Sequence, residues 1–149
     1  TMPITVALSA FGFNIINVLD QAIGIYFFTE YTENWYETYV FQLGLVLFII
    51  GMFINIYSDF LILKMKKVKG PGYHIPNSFL HRYISSPNYF GEIIEWLGWA
   101  ILTWSISGFV FLIWTFANLF PRAISNHKWY QMKFENYPKD RKAIIPKVV

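Results

Sequence analysis

The chain has 149 residues, 55% of them hydrophobic and 21% aromatic, with only 14% charged. Soluble domains carry about 25% charged residues, so the composition excludes an ordinary water-soluble domain and points to a membrane protein, one domain or part of one. Cysteine is absent, which removes disulfides and thiol chemistry, and the net charge of +3 comes from basic residues flanking apolar segments, a pattern of membrane surfaces rather than of nucleic-acid binding.

In chain order, a first span is predicted from Ile4 to Phe28, long enough to cross about 30 Å of hydrocarbon. Asn14, Asn17, Asp20 and Gln21 give it one polar face. No Lys or Arg precedes it and no small-residue cleavage site follows, unlike a signal peptide. Because Thr1-Met2-Pro3 runs straight into this span, the chain reads as the C-terminal portion of something longer. An acidic loop with Glu30, Glu33 and Glu37 among Tyr31, Trp35, Tyr36 and Tyr39 suits an interfacial aromatic belt. The second span, about Val40 to Leu63, is the strongest apolar signal, and Asn55 and Asp59, four apart, make its last turns polar on one side. A basic loop at Lys64, Lys66, Lys67 and Lys69 leads into a Gly70-Pro71-Gly72 turn. Residues 90–120 are apolar again, and residues 121–149 read as a polar, basic tail.

All twelve Lys and Arg lie at or after Lys64. The positive-inside rule places both basic clusters in the cytosol, which requires an even number of crossings between them. Two short spans are therefore predicted, the first beginning near Ser78 or Pro87, with a break around Ser105-Ile106-Ser107-Gly108. The expected fold class is all-α: a multi-span transmembrane helix bundle with four spans and the acidic loop outside.

Glu92 and Glu95 fall inside the third of these spans, where a carboxylate is expensive and often functional. Asn88, Glu92 and Trp96 follow at four-residue spacing, forming a polar stripe that reads either as a recognition face or as a helix–helix hydrogen-bond seam. Asn55, Asp59, Asn88, Glu92, Glu95, Arg122, Asn126, His127, Tyr130 and the lysine loop all converge at the cytosolic end of this topology. Cations beside amides, carboxylates and aromatics suit a ligand with phosphates, ribose hydroxyls and a flat ring, such as a dinucleotide, although lysines meeting anionic lipid account for the charge equally well. No GxGxxG or P-loop is present, which excludes a Rossmann mode. His74, His81 and His127 lack metal-type spacing, so no metal is expected, and no serine has a nucleophile-elbow context.

The segments Asn55-Ile56-Tyr57-Ser58-Asp59, Gly72-Tyr73-His74-Ile75-Pro76 and Ser86-Pro87-Asn88-Tyr89-Phe90-Gly91-Glu92-Ile93-Ile94-Glu95-Trp96 resemble the steroid 5α-reductase family. So do Pro121-Arg122-Ala123, Trp129-Tyr130 and the closing stretch from Lys133 to Pro146. The resemblance implies that residues 1–149 are the C-terminal, cofactor-binding part of a seven-span membrane reductase, holding the last four spans. Such an enzyme uses NADPH to reduce a carbon–carbon double bond conjugated to a ketone in a lipophilic substrate, typically a 3-oxo-Δ4-steroid. By motif position Asn55, Asp59, Tyr73, Asn88, Glu92, Arg122 and Tyr130 would contact NADPH, with Trp96 lining the site. Lys66, His74 and Asn126 join this set as departures: Lys66 stands where Arg is common, His74 where Arg or Lys is common, and Asn126-His127 replaces a His-His pair. The family's ketone-polarising carboxylate and tyrosine belong to its N-terminal half. The resemblance further implies a monomer in the endoplasmic reticulum membrane of a eukaryote or the inner membrane of a bacterium, with the basic loop and C-terminus cytosolic. Enoyl-CoA and polyprenol reductases of the same architecture, a membrane methyltransferase using S-adenosylmethionine and a non-catalytic subunit remain open alternatives.

Overall fold

A computed structural model describes residues 3–149. Four helices follow in order: α1 (Ile4–Phe28), α2 (Tyr39–Lys69), α3 (Pro87–Thr103) and α4 (Ile106–Lys133), with short 3-10 turns at Trp35–Glu37 and Phe79–Arg82. The expected all-α membrane bundle is what forms. Helices α1, α2 and α4 are long and apolar enough to cross a bilayer. Helix α3, with 17 residues, is about 26 Å long.

Local chemistry sets the helix ends. The Thr38 hydroxyl accepts from the Phe41 N–H at 3.2 Å and caps α2, and Ser105 accepts from the Gly108 N–H at 3.1 Å and caps α4. Pro87 occupies the first turn of α3, where a missing N–H is harmless. Trp104, at φ 47°, turns the chain left-handed at the end of α3. Only Trp104 and Ser105 separate α3 from α4, so the expected break is present. Gly70 at φ 85° and Gly72 at φ 127° turn the chain after α2.

Two boundaries differ from the sequence reading. Lys64 to Lys69 are not a loop but the last turns of α2; lysine is a good helix former and complements the negative end of the helix dipole. Residues 121–133 are not tail but the second half of α4, which continues through Pro121. The proline leaves the Ala117 carbonyl without its helical donor, which the helix tolerates.

The packing is inverted relative to a soluble protein. Large apolar side chains such as Phe11, Ile16, Val46, Phe53, Phe60, Phe109 and Trp114 face outward. The buried positions of α2 are Gly44, Gly51 and Ser58, and those of α3 are Pro87, Gly91, Gly98, Ala100 and Thr103. Small residues at a membrane helix interface let backbones approach closely, and α2 and α3 use them in antiparallel register. A Cβ on Gly44 would lie 2.9 Å from the Gly98 carbonyl oxygen, and one on Gly98 would lie 2.8 Å from that of Gly44. Seven residues along each helix the pattern repeats, with 2.7 Å from Gly51 to the Gly91 oxygen and 2.8 Å in return.

At one end of the bundle the 29–38 loop covers the α3–α4 corner. The Tyr31 hydroxyl donates to the Thr103 carbonyl, and Trp35 Nε1–H donates to the Leu102 carbonyl at 3.1 Å. Both carbonyls belong to the last turn of α3, which has no further helical donors. Nearby, Gln21 ties α1 to the rest: its Nε2 donates to the Ser107 carbonyl at 3.0 Å, and its Oε1 accepts from Trp99 Nε1–H at 2.8 Å. At the opposite end residues 134–149 return against the segment before α3, with Ile84 and Lys142 forming an isolated parallel bridge.

Candidate functional site

The antiparallel register of α2 and α3 sets Asn55 and Asp59 beside the first turns of α3. Asn55 Nδ2–H donates to Glu95 Oε2 at 3.4 Å. The Asn88 amide faces the Asp59 carboxylate. Glu92 has Glu95, Asp59 and the Arg122 guanidinium of α4 as its charged neighbours. Six of the residues singled out in the sequence, Asn55, Asp59, Asn88, Glu92, Glu95 and Arg122, therefore form one cluster across three helices. It offers carboxylate acceptors, amides that donate and accept, and one cation. Such a set can hold hydroxyls, a carboxamide and an anionic group.

Tyr73, His74 and Tyr130 gather in a second group toward the lysine-bearing end of α2. The rings of Tyr73 and Trp129 meet edge-on at 4.7 Å, Trp129 meets Tyr130 at 5.2 Å, and Tyr130 stacks on Tyr137 at 5.4 Å. A cavity of about 380 Å³ opens beside Tyr73 and His74, with Lys69, Asn77 and Asn136 in its wall. His74 Nε2–H donates to the Gly70 carbonyl at 3.1 Å, which fixes the ring on the turn.

Three candidates lie apart. Lys66 and Asn126 are exposed, and among the described residues no side-chain hydrogen bond ties either to the cluster. Trp96 points elsewhere: its ring meets Phe111 at 4.2 Å and lines an apolar cavity of about 410 Å³ with Asn17, Gln21, Phe48, Glu95 and Trp99. The reason is helical geometry. Each four-residue step advances about 40° around the axis, so Trp96 is roughly 80° from Asn88 and faces α1 and α4.

One residue that converged in the sequence reading, but that the family motifs did not assign to the cofactor, also joins the cluster. Glu95 belongs to the cluster through Asn55, and it also reaches the apolar cavity. The glycine pairs that bring α2 and α3 into contact went unread in the sequence, where the seven-residue spacings 44/51 and 91/98 are the signal that marks them. Among the described residues no three His, Asp or Glu side chains are grouped to hold a metal ion.

Outside the membrane-spanning helices, His81 is fully buried. Its Nε2–H donates to the Ser58 carbonyl at 3.4 Å, and its Nδ1 has no partner. Burial above all, with the nearby Arg141 charge adding to it, pushes its pKa down to about 4.

Fold and cluster together define a membrane-embedded helix bundle with a polar site at the end that carries the lysines. A profile of the family described as 3-oxo-5-alpha-steroid 4-dehydrogenase matches residues 1–149. The chain is 49% identical over 145 residues to the steroid 5-alpha-reductase DET2 of Solanum lycopersicum, covering 97% of this chain and 56% of that protein. It is 44% identical over 148 residues to 3-oxo-5-alpha-steroid 4-dehydrogenase 1 of Bos taurus, covering 99% and 58%. The chain thus spans a little over half the length of these curated relatives. It belongs to the 3-oxo-5-alpha-steroid 4-dehydrogenase family.

Proposed function

We propose that this chain forms the cofactor-binding part of an NADPH-dependent reductase that saturates the conjugated double bond of a 3-oxo-Δ4-steroid. Family membership supports the reaction class, and relatives named for this chemistry cover nearly the whole chain. The observation that carries the cofactor reading is the convergence of Asn55, Asp59, Asn88, Glu92 and Arg122 from three helices.

The residues present fit the group. The carboxylates and amides of the cluster accept from ribose hydroxyls and a carboxamide, while Arg122 and Lys69 offer positive charge to phosphates. Tyr73, Trp129 and Tyr130 present aromatic faces for a flat ring. When bound, the nicotinamide supplies a hydride to the β-carbon of the enone. Charge then builds on the ketone oxygen and needs a hydrogen-bond donor. By the family resemblance that donor is a carboxyl and tyrosine pair upstream of this chain. The chain's own residues orient the cofactor, and the apolar helices around them exclude water and admit a lipophilic substrate. The protein acts as a multi-pass monomer with the Lys64–Lys69 turns and the C-terminus cytosolic, in the endoplasmic reticulum of a eukaryote or the inner membrane of a bacterium.

The test is a titration of the complete protein in detergent with NADPH, NADH and S-adenosylmethionine, followed by quenching of tryptophan fluorescence. NADPH binding tighter than NADH is expected. Equal affinities argue against a 2′-phosphate site, and tighter binding of S-adenosylmethionine replaces the reductase reading with a methyltransferase.

A further inference from the structure

The last residues of the chain are built into the bundle. Tyr137, Arg141 and Ile144 are all buried. The Lys142 N–H donates to the Tyr83 carbonyl at 2.9 Å, the Ser85 N–H to the Lys142 carbonyl at 2.8 Å, and the Ser86 N–H to the Ala143 carbonyl at 3.1 Å. Residues 83–86 are thereby held by the tail, and they lead directly into Pro87 and Asn88 at the start of α3.

One hydroxyl collects three further contacts. Ser85 Oγ lies 2.6 Å from His127 Nδ1, 2.7 Å from the Tyr137 hydroxyl and 3.1 Å from the Lys142 carbonyl oxygen. Counting protons gives each bond a direction. The carbonyl only accepts, so the Ser85 O–H donates to it. The Ser85 oxygen then accepts from the Tyr137 O–H and from His127 Nδ1–H. A neutral His127 protonated on Nδ1 has Nε2 free to accept, and Gln131 Nε2–H donates to it at 2.9 Å. Each of these four side-chain hydrogen bonds then has one donor and one acceptor.

Tyr137 has a second role in the same place. Its ring stacks on Tyr130 at 5.4 Å with 19° between the planes, and the Arg141 guanidinium carbon lies 4.9 Å from its centroid. Its hydroxyl thus reaches the start of α3 through Ser85, and its ring supports Tyr130 on α4. Attachment of the tail is already secured by three backbone hydrogen bonds and by buried Ile84 and Ile144. The side-chain knot adds direction to that attachment.

We infer that Ser85, His127 and Tyr137 are positioning residues, which set the start of α3 against α4 so that Asn88 and Tyr130 address one dinucleotide. The inference rests on the cofactor reading above. It is tested on the complete protein with Tyr137→Phe, which keeps the ring stack and removes only the hydroxyl, with Ser85→Ala, and with the double variant. Thermal melts are measured without cofactor, and the NADPH Kd is measured on the monodisperse folded fraction. Each single variant is expected to raise Kd about 5- to 30-fold, with the double variant no worse than Ser85→Ala alone, because loss of the serine hydroxyl already breaks the bond that Tyr137→Phe removes. Folded single variants with the parental Kd and a lowered melting temperature overturn the inference and leave the cofactor reading standing. Failure of the parent to bind NADPH overturns both. If the variants do not fold, hydrogen exchange on the parent decides: NADPH should slow exchange of the Ser85 and Lys142 amides, and unchanged rates overturn the inference.

Discussion

Replacing Gly51 with alanine tests the α2–α3 contact directly. The added methyl would run into the Glu95 backbone nitrogen and lie 2.7 Å from the Gly91 carbonyl oxygen. That is roughly 0.8 Å short of the separation of about 3.5 Å at which such contacts become favourable. Both obstacles are backbone, so no rotamer change relieves them and the helices must part. Overpacking of this kind costs about 1–3 kcal/mol, against a gain of about 1 kcal/mol in helix propensity. A net loss of up to about 2 kcal/mol is expected, at roughly 2–4 °C in Tm for each kcal/mol. Gly12→Ala is the matched control. Nothing lies within 4 Å of a Cβ there, so the same change should be neutral or stabilising by up to about 1 kcal/mol. Separation at Gly51 also reaches the site, because Asn55 lies one turn away and its bond to Glu95, at 3.4 Å, has no slack. Gly51→Ala should therefore weaken NADPH binding while Gly12→Ala does not. Thermal melts of the complete protein in one detergent, paired with NADPH titrations, read both quantities. A Gly51→Ala protein with parental Tm and parental Kd refutes the contact argument.

Glu92→Gln separates ligand binding from helix packing: Glu92 sits beside two like charges, Glu95 and Asp59, and one cation, Arg122. Its neutralisation should leave stability without cofactor unchanged or improved. NADPH binding should weaken by about 1.5–3 kcal/mol, the range for a hydrogen bond to a charged group; unchanged Kd with lowered Tm assigns Glu92 to packing instead. His81 should make stability fall with acid. Its folded pKa of about 4 lies below the ordinary histidine value of 6.5, so the unfolded chain binds more protons between those values. Its contribution, about 3 kcal/mol, is complete above pH 6.5 and is lost as pH falls toward 4. Melts of the parent and of His81→Gln across pH 7.5 to 4 should converge at the acid end, and parallel curves would contradict this assignment.

Much of the architecture was legible because membrane helices announce themselves by length and hydropathy. The α1 limits expected from the sequence, Ile4 and Phe28, are those observed, since Pro3 and the polar stretch from Thr29 bound one unbroken apolar run. The end of α2 was missed because four lysines erase the hydropathy signal without breaking the helix. The second half of α4 was missed for the same reason, compounded by Pro121. That Asn55, Asp59, Asn88 and Glu92 lie together was legible because an antiparallel helix pair must bring the polar end of one beside the polar start of the other. Trp96 follows them at four-residue spacing, and the drift of the helical period turns it into the cavity that it shares with Glu95. The contacts of Ser85 with His127 and Tyr137 join residues 42 and 52 positions apart. No local periodicity encodes such pairings.

The glycine pairs also bear on how the protein is made. Helix α3 has 17 residues and carries Glu92 and Glu95. A segment this short, with two carboxylates, enters a bilayer poorly by itself. Helix α2, at 31 residues, carries the most apolar stretch of the long helices, and the close approach at Gly44/Gly98 and Gly51/Gly91 lets α3 ride in against it as a hairpin. Its acidic side chains then meet Asn55 and Arg122 instead of lipid. Bulky substitutions at these glycines should accordingly register first in the cell, as chains that fail to integrate during synthesis and are degraded. A purified, surviving fraction would under-report the damage.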